Sequence, residues 1–152
     1  MMNKSPHTIR LVNSEKDFKE YYRVRYETLR KPWGQPEGSE KDETDSSSIH
    51  AFMLHGERAV AVCRLHFNNP SEGQIRYMGV DENERGKGLG ADLVAWIENE
   101  AKERGARQMV LHARENAILF YEKQGYRVKE KSYLLFGEIQ HWLMVKDIGP
   151  KK

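Results

Sequence analysis

The sequence predicts an α/β fold (α+β mixed sheet) with a largely antiparallel amino-terminal meander, a central strand-helix-strand unit and a carboxyl-terminal hairpin. Three observations carry this expectation. Residues 49 to 80 hold apolar and β-branched runs separated by the turn sequences HGER and NNPSEG, the pattern of hairpin-linked strands. The glycine-rich stretch NERGKGLG (83 to 90) leads into apolar residues at helical spacing, and the apolar run QMVLHA follows; two strands joined through a helix in this way pair in parallel with a right-handed crossover. Two more strand-like runs flank Gly137 near the end of the chain. At 152 residues the expectation is one domain, 1–152.

Taken in order, HTIRLV (7 to 12) alternates as a short strand, and SEKD (14 to 17) supplies a serine cap with an acid three positions on, which starts a helix. Phe18, Tyr21, Tyr22, Arg25 and Leu29 recur at helical spacing, so that helix should run to about Arg30. The stretch KPWGQPEGSEKDETDSSS (31 to 48) reads as a loop, long enough to be either functional or disordered. IHAFMLHGERAVAVCRLHF then gives two strands around HGER, and QIRYMGV (74 to 80) a third. Leu89, Leu93, Val94, Ile97 and Ala101 mark one face of the next helix, which Gly105 should stop. NAILFYEKQG is a short helix ending at Gly125, and YRVKEKSYLLF and QHWLMVKDI form the final hairpin.

Composition excludes several classes of function. The 25 basic and 23 acidic residues are interspersed, whereas a nucleic-acid footprint gathers basic residues on one face, so no nucleic acid is expected as a partner. Cys63 is the only cysteine, which rules out an intramolecular disulfide or a CxxC motif and fits a reducing cytoplasm. Its apolar strand offers nothing to lower a thiol pKa, so it reads as a small core residue. No apolar run approaches the ~18 residues that span a membrane, and none resembles a signal peptide. His50, His55, His66 and His112 show no helical HxxxH spacing, and no metal is expected.

The glycine loop carries the strongest chemical signal. Exposed amides at a helix start, backed by the positive end of the macrodipole, form an anion site, and glycines allow the backbone to approach a ligand closely. Arg85 and Lys87 add charge and favour a phosphate or pyrophosphate. The P-loop pattern fails because Gly88, and not serine or threonine, follows Lys87. Gly86, Gly88 and Ala91 match the dinucleotide fingerprint, but Asp81 to Arg85 intervene after the strand and only one further parallel strand is available.

RGKGLG (85 to 90) resembles motif A of the GCN5-related N-acetyltransferases (GNAT), whose RxxGxG/A pattern is met by Arg85, Gly88 and Gly90. IRYMGV resembles the family's central strand before the loop, and NAILFYEKQGY its later helix. The resemblance covers about residues 8 to 146 in element order and is strongest from Ile75 to Tyr126. It implies a GNAT-like acyl-CoA N-acyltransferase fold that takes acetyl-CoA as co-substrate, with the pyrophosphate on Arg85, Gly86, Lys87, Gly88, Leu89, Gly90 and Ala91. The pantetheine arm would meet Met78 and Val80, the Val80 amide holding the thioester carbonyl, and Asn116 and Tyr121 would complete the cofactor site. Gly79, a glycine inside a β-branched and aromatic strand, fits the bulge that opens the family's sheet.

The same resemblance implies Tyr121 as the acid that protonates the departing thiolate; a tyrosine with a pKa of ~10 can donate to a thiolate of ~8.5 without being ionised first. Phe120 beside it points about 100° away and is free for the core. The base is open. The position of the glutamate found in some family members is Gln74, which accepts no proton at neutral pH, whereas His141, in QHWLM, resembles a histidine of small bacterial members and has a suitable ordinary pKa of ~6.5. A structural histidine is the competing reading of His141. For the acceptor, Arg25, Arg30 and Trp33 could bind an anionic or flat substrate, and Glu37, Glu40, Asp42, Glu43 and Asp45 could attract a cationic amine.

The leading expectation is an acetyl-CoA-dependent N-acetyltransferase that modifies a primary amine of a small molecule by direct attack in a ternary complex, acting as a monomer or homodimer. A protein or peptide acceptor would need an open groove in place of a closed pocket. A non-catalytic acyl-CoA-binding sensor would not need Tyr121.

Overall fold

A computed structural model describes residues 7–149. Seven strands form one sheet in the order β1-β2-β3-β4-β5-β7-β6, comprising β1 (His7–Leu11), β2 (Ile49–His55), β3 (Arg58–Asn69), β4 (Glu72–Val80), β5 (Gln108–Arg114), β6 (Arg127–Leu135) and β7 (Ile139–Asp147). Three α-helices accompany it: α1 (Glu15–Leu29), α2 (Leu89–Glu103) and α3 (Ile118–Lys123). β1 and β2, and β2 and β3, pair antiparallel; β4 and β5 pair in parallel from Glu72↔Gln108 to Ile75↔Leu111. The last strand, β7, inserts antiparallel between β5 and β6. The fold class, the meander, the parallel unit and the final hairpin are those the sequence predicts. One boundary differs. β3 and β4 extend so far into NNPSEG that only Pro70 and Ser71 separate them.

The described residues fall into two compact units. The first takes in the chain up to Leu65 together with Tyr77–Trp96, and the second His66–Arg76 and the chain from Ile97 onward. β3, β4 and α2 each run from one unit into the other.

In the first unit Ser14 caps α1, its side chain accepting from the Asp17 amide at 3.0 Å, as the serine-acid spacing predicts. The helix buries Tyr21, Val24, Arg25 and Thr28, and its aromatic face packs on a core that includes Val12, Phe52, Leu54 and Val62. Burying side chains of that size stabilises by about 1.5–3 kcal/mol apiece. Thr28 explains Gly79: a Cβ there would collide with the Thr28 hydroxyl, so the glycine permits close approach of α1 to β4. The backbone irregularity lies two residues earlier, at Tyr77, whose φ of 54° is a left-handed conformation that a large L-residue rarely adopts.

In the second unit α3 buries Tyr121, leaves Leu119 exposed and half-buries Phe120. The core role expected of Phe120 therefore belongs to Tyr121, whose ring meets Tyr126 edge-on at 5.9 Å. No helix among the described residues is long and apolar enough to cross a membrane.

Candidate functional site

The glycine loop follows β4 in the first unit. Asp81 accepts from the Asn83 amide at 3.1 Å and ion-pairs with Arg58 at 2.7 Å, which starts a 3-10 turn at Glu82–Glu84. Gly86 (φ 82°) and Gly88 (φ 79°) then take left-handed conformations, and α2 begins at Leu89. Alternating conformations of this kind turn successive amides toward one concavity, and the helix dipole adds positive potential there. A Cβ placed on either glycine would meet no protein atom within 4 Å. The space over the loop is open, as an incoming phosphate requires. Arg85 donates from Nε to the Val80 carbonyl at 3.1 Å and so ties the loop to the end of β4, while Lys87 pairs with Glu84 at 2.6 Å. The loop's chemistry therefore fits a pyrophosphate.

Farther back in the same unit, the predicted acceptor residues lie in a network of buried charge. Arg25 is wholly buried: it donates to the Glu40 carbonyl at 3.0 Å, pairs with Asp45 at 3.0 Å and lies 4.2 Å from the Tyr77 ring centroid. Arg64, equally buried, binds Asp42 at 2.6 Å and Asp45 at 2.8 Å. Tyr22 and Tyr77 donate their hydroxyls to Asp45 and Asp42. His50 Nε2 meets the Asp45 carbonyl at 2.7 Å, and Arg30 donates to the Ser39 carbonyl at 3.0 Å. These bonds fold residues 31–48 back onto the strands. Arg25 is thus turned away from solvent as an anchor of that loop, and Asp42 and Asp45 are committed to arginines instead of facing an amine. Trp33 alone of the predicted trio presents a large exposed surface (38%).

Burial pushes the Asp42 and Asp45 carboxyls up, but the hydrogen bonds and charge of the arginines outweigh it, and both lie below the usual carboxylate range. Neither is a proton acceptor near neutral pH. Burial raises the Cys63 thiol well above its ordinary value, in keeping with a small core residue. Sequence reasoning missed Arg64 and Tyr77. The signal for Arg64 was a lone arginine inside VAVCRLHF, where only a buried partner makes a charge tolerable; nothing in the letters marks the left-handed Tyr77.

In the second unit, Tyr121 is buried on α3, and Asn116 is exposed in the 3-10 turn Glu115–Ala117 that precedes it. His141, on β7, is 5% exposed and stacks on the Tyr133 ring at 4.4 Å. Its Nδ1 lies 3.0 Å from the Ile139 carbonyl. A carbonyl can only accept, so Nδ1 carries the hydrogen and Nε2 keeps a lone pair. Burial lowers the His141 pKa, with the positive charges of Arg114 and Arg76 adding to the effect, and the ring is neutral near pH 7. Gln74, on β4, is engaged by Asn68 at 3.0 Å.

A strand of a mixed sheet that runs into a glycine nest at the head of a helix has the layout of an anion-binding site. The chain belongs to the acetyltransferase (GNAT) family, whose model matches residues 16–126. It is 30% identical over 137 residues to the uncharacterized N-acetyltransferase YjcF of Bacillus subtilis, across 90% of this chain and 97% of that one. A solved structure from Lactobacillus plantarum superposes with a TM-score of 0.84 at 23% identity, covering 93% of this chain and 97% of the other. A GNAT family acetyltransferase from Elizabethkingia anophelis, solved with acetyl-CoA bound, superposes at 0.76 with 15% identity over 95% and 100% of the two chains.

Proposed function

We propose that the protein is a single-domain enzyme of the cytoplasm that transfers the acetyl group of acetyl-CoA to a primary amine of a small molecule, by direct attack within a ternary complex. The observation that carries this is the paired left-handed Gly86 and Gly88 at the head of α2, open above, with Arg85 before them and Lys87 between them. Acetyl-CoA supplies an activated acetyl thioester. The amides of Gly86 to Ala91 bind its pyrophosphate, Met78 lines the pantetheine arm, and Asn116 adds a polar contact. The Val80 amide donates to the thioester carbonyl and stabilises the negative charge that develops on its oxygen. His141 Nε2, neutral at physiological pH, removes the proton the amine must lose, and the Tyr121 hydroxyl donates the proton the sulfur gains.

A small acceptor is favoured by the order in residues 31–48. The acceptor contacts are expected from this segment, and two buried arginines pin it, so it does not yield readily to an extended chain. Trp33 and the half-buried Arg30 are the residues left to contact the acceptor. Thermal stability with acetyl-CoA, CoA and NAD is the direct test. A rise of several degrees with both CoA species and none with NAD supports the reading, and Gly88→Leu should abolish that rise while the unliganded protein stays folded. Stabilisation by NAD alone would refute it.

A further inference from the structure

We propose that His7, His55 and Glu84 form a binding site for a divalent transition-metal ion of the zinc type, placed at the base of the glycine loop. The three residues come from the start of β1, the end of β2 and the 3-10 turn after β4, all within the first unit. His7 and His55 are direct partners in the β1–β2 register, which holds their rings 5.0 Å apart and edge-on. Glu84 reaches the same point from the turn, its Oε1 4.0 Å from His55 Nδ1. One donor atom from each residue lies within 4.8 Å of the other two.

The chemistry of this donor set selects the ion. Two imidazoles and one carboxylate suit zinc and its neighbours in the first transition row, and disfavour magnesium and calcium, which seek oxygen alone. Bonds of about 2.1 Å in a tetrahedral site place donors about 3.4 Å apart. Closing the present separations needs a movement of about 1 Å, which the His55 side chain, 54% exposed, can make by changing its χ angles.

The position gives the site a consequence. Glu84 also holds Lys87, the cation in the middle of the glycine loop, at 2.6 Å. A metal drawing charge from the Glu84 carboxylate weakens that pair and makes Lys87 available to a phosphate. This coupling rests on the acyl-CoA reading above; the metal site does not.

The test is calorimetric titration of the full chain with zinc, and with cobalt followed by its visible absorption. One saturable site is expected, weakened in His55→Ala by at least the ten- to hundredfold that loss of a mere outer-shell partner costs, and weakened similarly in Glu84→Gln. His66→Ala, an imidazole outside the trio, should bind as the parent does. The absence of a saturable site, or parental affinity in both His55→Ala and Glu84→Gln, overturns the proposal. CoA titrations with and without zinc then read the coupling separately: equal CoA affinities would sink the coupling and leave the metal site standing.

Discussion

In the proposed reaction, Tyr121 as acid and His141 as base make different demands on their surroundings. A tyrosine acid has to keep its proton until the sulfur takes charge, which a phenol's ordinary pKa of ~10 suits, and Tyr121 is buried on α3. A histidine base has to be unprotonated before the amine arrives, and burial together with the nearby arginines keeps it so. Replacing Tyr121 by phenylalanine removes only the hydroxyl and leaves the packing against Tyr126. We expect kcat to fall by about 10²–10⁴-fold, the usual contribution of a positioned acid, with CoA affinity unchanged in calorimetry. An unaltered kcat would remove Tyr121 from proton transfer.

Among the elements, the segment from Lys31 to Ser48 shows what a buried charge can do for a loop. It has few apolar groups to bury, yet Asp45 draws it in by binding both Arg25 and Arg64. Such a pair adds little over an apolar core while intact, but removing one side strands the other in a medium that cannot solvate it. Asp45→Ala leaves both guanidinium groups short of a partner. The cost should be about 3–5 kcal/mol in urea unfolding, with new protease cleavage confined to residues 31–48 at native conditions. A variant that unfolds at the parental urea concentration and resists protease would show that the pairs do not hold the loop. The text of this loop, rich in proline, glycine, serine and acids, announced a long connection but not its order, because the arginines that fix it stand outside it.

For the whole molecule, the aspartates and histidines with displaced pKa values share one direction. Asp17, bound by Arg10, is lowered to about 2, and Asp42, Asp45 and Asp81 lie below their ordinary range. His50, His112 and His141 are also lowered, chiefly by burial. A group whose folded pKa is depressed stabilises fully above its unfolded pKa and loses that contribution as pH falls toward the folded value. The histidine contributions should therefore fade below about pH 6.5 and the aspartate contributions below about pH 4. Melting temperature measured against pH should be level between about pH 7 and pH 8 and decline in two stages on acidification. A protein most stable at pH 5 would contradict these directions.

By itself the sequence determined what depends on neighbours along the chain. The strand and helix periods, the serine cap at Ser14 and the glycine spacing of RGKGLG are local, so the order of elements, the parallel unit and the glycine loop at the head of α2 are legible in the chain itself. Tertiary structure decided what depends on residues far apart in the chain. It turned Arg25 inward because Asp45 and Glu40 come to meet it, made Gly79 a contact point for Thr28, and forced Tyr77 into a left-handed backbone. It also brought His7, His55 and Glu84 to one place. No spacing rule could find that trio, since strand pairing and the end of a third strand set the distances between them.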